Sequence, residues 1–179
     1  MIRQIVRVAP ALFMLTVLTG TAAQAIETKE GHERAAAFTA KVPLSQAITN
    51  AEKQASGKAV SAQIEYSDGK AFYEVTTISG DKRSTATLDP TTGNIMKAAQ
   101  TSGSTHRHDD KVAAGALARA ATSAEMSAGS GKAIKAEYVD MDKANRIRVT
   151  VARSSDSVQS FDVDAATGKV QATHDVEHR

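Results

Sequence analysis

The tetrapeptide Ser56-Gly57-Lys58-Ala59 recurs unchanged 74 positions later as Ser130-Gly131-Lys132-Ala133. At the same offset Val60 meets Ile134, Ala62 meets Ala136, Val75 meets Val149 and Thr76 meets Thr150. One inserted residue later, Asp89, Thr92, Gly93 and Ile95 meet Asp164, Thr167, Gly168 and Val170. Similarity at a fixed period marks a supersecondary unit used more than once, and it limits the folds open to the chain more than composition does. The sequence reads as a duplicated module.

Within the first copy, Pro43 stands where a first helical residue is favoured. Leu44, Ala47, Ile48, Ala51 and Ala55 follow at helical spacing and end before Gly57. Val60, Ala62, Ile64 and Tyr66 then alternate with polar residues, the period of a half-buried strand. Asp68-Gly69 signals a tight hairpin, Tyr73 and Val75 share a face of the next strand, and Ser79-Gly80-Asp81 turns the chain into Ser84, Ala86 and Leu88. The second copy repeats the order, with a nearly all-alanine helical face (Ala113, Ala116, Leu117, Ala120, Ala121, Ala124) and strands through Ile134 to Tyr138, Ile147 to Val151, and Phe161 with Val163. The third strands end in matching turns, Asp89 to Gly93 and Asp164 to Gly168. There the carboxylate can accept backbone N–H groups and glycine supplies a positive φ. A short apolar step, Ile95 or Val170, then returns toward the sheet. The expected fold class is α+β, two repeats, each one helix packed on a small antiparallel β-sheet.

The first 25 residues read as an address. Arg3 and Arg7 precede an apolar stretch from Val8 to Leu18, too short for a bilayer span, and Ala23 and Ala25 fit the small-x-small pattern of a secretory cleavage site. The expected organisation is a signal peptide over 1–25 cut after Ala25, an N-terminal segment over 26–41, a first repeat over 42–98, a linker over 99–110, a second repeat over 111–172 and a tail over 173–179. Localisation follows as periplasmic or secreted, with no membrane attachment after cleavage. The +2 formal charge (22 Lys plus Arg, 20 Asp plus Glu) falls to zero once Arg3 and Arg7 leave, and aromatics make up only 4%. Neither a basic footprint nor a stacking platform for nucleic acid is present. With no Cys, a disulfide framework and thiol chemistry are excluded, and packing alone must hold the fold. With 33 alanines among the apolar residues, that core is expected to be shallow.

A helix, a hairpin pair and a strand closing on Asp-x-x-x-Gly plus an apolar residue resembles the PepSY domain. The stretches that carry the resemblance are Leu44 to Ala55, Tyr73-Glu74-Val75 and Asp89 to Ile95 in the first copy, and Asp164 to Val170 in the second. The second copy departs from the pattern at Ile147-Arg148-Val149 and in its alanine-rich helix. The resemblance implies a non-catalytic extracytoplasmic binding module of the kind found in peptidase propeptides. Its implied partner is a protein, a peptidase inhibited or regulated by occlusion, and no cofactor is implied.

The candidate partner-binding residues are solvent-side strand positions, Glu65, Tyr73, Glu74, Arg146 and Arg148. An alternative reading is metal binding in a metal-stress role. His106, His108 and Asp109 lie between the copies and His174 and His178 after them, and imidazole with carboxylate suits zinc, copper or nickel. Gly129-Ser130-Gly131-Lys132 looks like the end of a phosphate loop but lacks the earlier glycine and the following Ser or Thr; its counterpart at 56–59 makes it a helix-to-strand turn. No Gly-x-Ser-x-Gly elbow occurs, and the histidines lie outside the two repeats, so no catalytic set is expected.

Overall fold

The computed structural model describes residues 21–102 and 110–173. In chain order they form α1 (Thr21–Thr39), α2 (Leu44–Ala55), β1 (Lys58–Ser67), β2 (Lys70–Ser79), β3 (Lys82–Leu88), β4 (Ile95–Ser102), α3 (Ala116–Ser127), β5 (Lys132–Tyr138), β6 (Arg146–Ala152), β7 (Val158–Asp164) and β8 (Val170–Ala172). All eight strands join in one antiparallel sheet of order β4-β3-β2-β1-β5-β6-β7-β8. Each four-strand meander is laid down in sequence, and the two meet where β1 pairs with β5, at Ser61 with Glu137, Ala62 with Ala136 and Gln63 with Lys135.

Helix α2 buries Leu44, Ala47, Ile48 and Ala51, and α3 buries Ala116, Leu117, Ala120, Ala121 and Ala124. These are the 3.6-period faces of the sequence, except that Ala113 lies before α3 and is exposed, since the helix starts only after Gly115, and Ala55 in the last turn of α2 is half-buried. The helices touch each other and cover one face of the sheet, α2 over β1 and β2, α3 over β5 and β6. Beneath them lie Ala62, Ile64, Tyr73, Val75 and Leu88 on one side of the seam and Ala136, Ile147, Val149, Phe161 and Val163 on the other, all within one buried cluster. Small side chains on the helices and at the seam let the backbones approach closely. A chain poor in aromatics thereby builds a single shared core instead of two shallow ones.

Several details differ from the sequence-based expectation. Pro43 is the residue before α2, with extended backbone (φ −69°, ψ 157°), and not its first helical residue. The left-handed residue that ends α2 is Ser56 (φ 47°). Gly57 serves another purpose: a Cβ there would lie 2.7 Å from the Ile78 carbonyl oxygen. Gly131 has the same role, since its Cβ would collide with Val151. The repeated glycine therefore marks a close approach of the helix-to-strand turn to the neighbouring strand.

The apolar step at Ile95 is a full edge strand reaching Ser102, so the stretch read as linker from 99 begins inside β4. Residues 26–39, read only as an N-terminal segment, belong to α1, which starts before Ala25. Alternating apolar periodicity does not announce this helix. It is held by alanine propensity and by the i,i+4 pairs Lys29–Glu33 (3.4 Å) and Glu30–Arg34 (3.7 Å). No helix among the described residues is long and apolar enough to cross a membrane.

Candidate binding face

Strand alternation leaves the second face of the sheet polar. Cross-strand partners there form two adjacent rows. One runs Lys97, Thr87, Glu74, Gln63, Lys135 and Thr150 from β4 to β6. The other runs Ala99, Thr85, Thr76, Ser61, Glu137, Arg148, Asp162 and Gln171, crossing all eight strands. The β1–β5 seam interrupts neither row, so the polar face runs unbroken from one meander to the other, with α1 lying over it at the seam. It is rich in hydroxyls on the first meander, where Thr76 and Thr85 hydroxyls lie 3.4 Å apart, and charged on the second.

The charges of the second meander are internally paired. Asp162 accepts from Arg148 through both oxygens, Nε to Oδ1 at 3.0 Å and Nη2 to Oδ2 at 3.3 Å, and pairs with Arg146 at 3.3 Å. Lys135 and Glu137, two apart on β5, pair at 2.9 Å. A bidentate carboxylate–guanidinium pair fixes both planes, so Arg148 is presented in a set position, with Arg146 held beside it by a single contact. Beside them a cleft of about 380 Å³ is lined by Asp140, Lys143, Arg146, Asp162, Asp164 and Lys169 among others. At its mouth Asp164 accepts the backbone N–H groups of Thr167 (2.7 Å) and Ala166 (3.1 Å) and the Thr167 hydroxyl (2.8 Å). The Thr167 backbone contact first, and then its hydroxyl, hold this carboxyl below the ordinary Asp value. Asp89 makes the same turn with Thr91 (2.6 Å) and Thr92 (3.2 Å), and Gly93 and Gly168 both have φ 73°.

Helix α1 lies against β1 and β5 on the side carrying Gln63 and Glu65. Lys29 pairs with Glu65 at 2.8 Å, Arg34 donates to the Ser155 carbonyl, and His32 stacks on Tyr66 with ring centroids 4.5 Å apart. Under the helix, burial pushes the Glu33 carboxyl above the usual value, Lys29 pulls it back, and Glu65 adds to the upward push.

The structure thus separates the five residues proposed from the sequence. Glu74, Arg146 and Arg148 lie on the polar face, Glu74 on β2 and the arginines on β6, with α1 over the β1–β5 seam between them. Glu65 is on that face but is engaged by α1, which the sequence reading did not anticipate as a helix. Tyr73 is not solvent-side. It is 1% exposed, packed with Val75 and Leu88 under α2, and its hydroxyl donates to the Val42 carbonyl at 2.8 Å. Burial pushes its phenol far above the ordinary value. The apolar face it shares with Val75 already placed it inside, because successive residues of a strand cannot both face solvent. His106, His108, Asp109, His174 and His178 lie outside the described residues. Among the described residues no group of three or more His, Asp or Glu side chains is placed to hold a metal ion.

Sequence reasoning missed the helix carboxylates. Glu52 Oε1 accepts the backbone N–H groups of Ala59 (2.9 Å) and Gly115 (3.1 Å), and Glu125 Oε1 accepts that of Ala133 (2.7 Å). The signal was available: each Glu stands a few residues before the repeated Ser-Gly-Lys-Ala, at 52 and 125.

An antiparallel sheet with α2 and α3 on one face and a polar second face crossed by α1 at the seam defines a surface-presenting α+β module. Residues 41–99 match the family described as peptidase propeptide and YPEB domain, so the chain carries a PepSY domain over about a third of its length. Among solved structures it is similar to a candidate lipoprotein from Clostridium difficile 630, at 16% identity and a TM-score of 0.47, over 75% of this chain and 95% of that one. No curated protein matches with significance.

Proposed function

We propose that the chain is a non-catalytic, extracytoplasmic binding protein that restrains a peptidase by laying the polar face of its sheet, on either side of α1, across it. The PepSY domain at residues 41–99 carries this reading, because PepSY units are related to peptidase propeptides. Residues 111–172 are a second such unit in this reading. Supporting that, α3 and β5 to β8 follow the same order as α2 and β1 to β4, and the register shift early in β1 (Ala59/Ser61) recurs in β5 (Ala133/Lys135). The address over residues 1–25 sends the protein to the periplasm or outside the cell, and cleavage after Ala25 leaves a chain beginning at Ile26.

Occlusion needs a broad, preordered surface and no reacting groups. A sheet face is such a surface, since its backbone is fixed by its own ladder and little entropy is lost on docking. Glu74, Arg146 and Arg148 are the residues through which it would act. The test is pull-down of the chain beginning at Ile26 from periplasmic extract, with peptidase assays across metallo-, serine and cysteine classes. A captured peptidase whose activity falls on titration is the expected result. No inhibition and no captured peptidase would overturn the reading, and an N-terminus other than Ile26 on the exported protein would overturn the cleavage site.

A further inference from the structure

The sheet has two edges, β8 and β4. An edge strand presents unpaired N–H and C=O groups, and proteins blunt such edges with short strands, prolines or charges. β8 is blunted by length, having only 3 residues. β4 has 8, contains no proline, and carries Lys97 as its only charge. At about 3.3 Å per residue it offers an edge roughly 26 Å long.

The direction of its backbone groups follows from the hairpin before it. Ser79 pairs with Lys82 across the two-residue turn Gly80-Asp81, with Gly80 at φ 61°, so the groups of Lys82 point to β2. By alternation those of Arg83, Thr85 and Thr87 point to β4 and engage Thr101, Ala99 and Lys97. Ala98 and Gln100 therefore direct their N–H and C=O groups away from the sheet. Among the described residues, no strand meets them.

Two further observations define what would. β3 and β4 carry Lys82, Arg83 and Lys97 and no acidic residue. Beside the start of β4 opens a concavity of about 890 Å³, whose lining includes the apolar Phe72, Ala71, Pro90 and Met96 and, at other points, Asp68 and Asp89. Met96 is the extra residue at a register shift in β4 and is 56% exposed.

We propose that β4 accepts an extended, acidic segment of a partner polypeptide as a ninth strand. Ala98 and Gln100 supply the backbone hydrogen bonds, Lys97 and Arg83 meet its carboxylates, and a large apolar side chain seats against Met96 and Phe72. A second copy of the chain is the wrong occupant, because β4-to-β4 pairing would gather both sets of Lys82, Arg83 and Lys97 at one seam. The inference rests on the reading of the chain as a polypeptide binder, but not on the partner being a peptidase.

The probes are acetyl-Glu-Val-Glu-Leu-Glu-Val-Glu-amide and its counterpart with Lys in place of Glu, followed by fluorescence anisotropy and residue-resolved amide hydrogen exchange. The acidic probe should bind tighter than about millimolar and at least about tenfold better than the basic one. It should slow exchange at the Ala98 and Gln100 amides. Ala98→Pro removes an outward N–H without touching the β3 ladder and should weaken binding by about tenfold or more. Lys97→Glu, at an exposed position, should reverse the preference between probes. Equal binding of both probes, no binding, or protection centred elsewhere would overturn the proposal. So would slowed exchange at Ala98 and Gln100 in the peptide-free chain that grows with concentration and accompanies a dimer in sedimentation. Absence of peptidase inhibition alongside binding of the acidic probe would overturn the peptidase reading alone.

Discussion

Glu52, on the helix of the first meander, accepts the backbone N–H of Gly115 at 3.1 Å, the residue before the helix of the second. A carboxylate at a helix N-terminus satisfies an otherwise unpaired donor and meets the positive end of the helix dipole. Because the same oxygen also accepts from Ala59, one side chain ties α2 to its own strand and to the other half of the molecule. Glu52→Ala should lower stability by about 1–3 kcal/mol. Glu125→Ala, which removes only the contact to Ala133, should cost less. Urea titration followed by circular dichroism measures both, and equal costs would show that the bond to Gly115 contributes nothing.

Gly57 and Gly131 occupy matching turns in which a Cβ meets the next strand, Ile78 in one and Val151 in the other. Gly57→Ala must push its methyl against the Ile78 carbonyl, 2.7 Å away, and backbone yields little. Each alanine variant should lose about 1–3 kcal/mol, the usual cost of overpacking. Gly69 has open space around it and a φ of 76°, so Gly69→Ala isolates the strain of a positive φ from any clash. The melting temperatures of the three variants, compared directly, separate the two causes.

Much of this fold was legible because it rests on short periods. The 3.6-residue spacing of Leu44, Ala47, Ile48 and Ala51 and the two-residue alternation of Ala62 and Ile64 each fix a face from local sequence alone. Long-range geometry has no such signature. Nothing in β1 or β5 says that Ala62 will face Ala136 across a seam, and the meeting of the two meanders was therefore invisible. Helix α1 escaped because its charged and alanine residues form pairs along the helix and not an apolar stripe. Its docking in turn explains why Glu65, solvent-side by alternation, is engaged. For Arg146 and Arg148 alternation gave the face, but not the shared Asp162 that holds them, since that partner lies on the next strand.

Glu33 makes the docking of α1 sensitive to pH. Its carboxyl, facing Lys29, Glu65 and the Tyr66 backbone, is raised above the ordinary 4.5. A carboxyl raised in the folded state is more easily protonated there than in the detached helix. Docking is therefore most favourable below the ordinary value and weakens as pH climbs through the raised one. Lys29 opposes this by favouring the ionised form, but burial is the larger influence. Glu33→Gln should remove the pH dependence and protect the amides of residues 29–39 better at neutral pH than the wild type. Hydrogen exchange at pH 4, 6 and 8, scaled for intrinsic rates, checks the sign; stronger wild-type protection at pH 8 than at pH 4 would reverse it.

Tyr73 and Glu74 are neighbours in sequence on opposite faces of β2, and their variants should fail in different ways. Tyr73→Phe deletes the hydroxyl that donates to Val42 and leaves that carbonyl short of a partner while keeping the ring in the core. It should cost about 1 kcal/mol of stability and leave the open face intact. Glu74→Lys reverses a charge in the row between Thr87 and Gln63 and should change stability by less than about 0.5 kcal/mol, as partly exposed substitutions usually do. A partner that lies across this face should feel the second change and not the first. Parallel denaturation and pull-down of the two variants test this. Equal loss of capture by both, with Tyr73→Phe still folded, would place the binding surface on the helix-covered side.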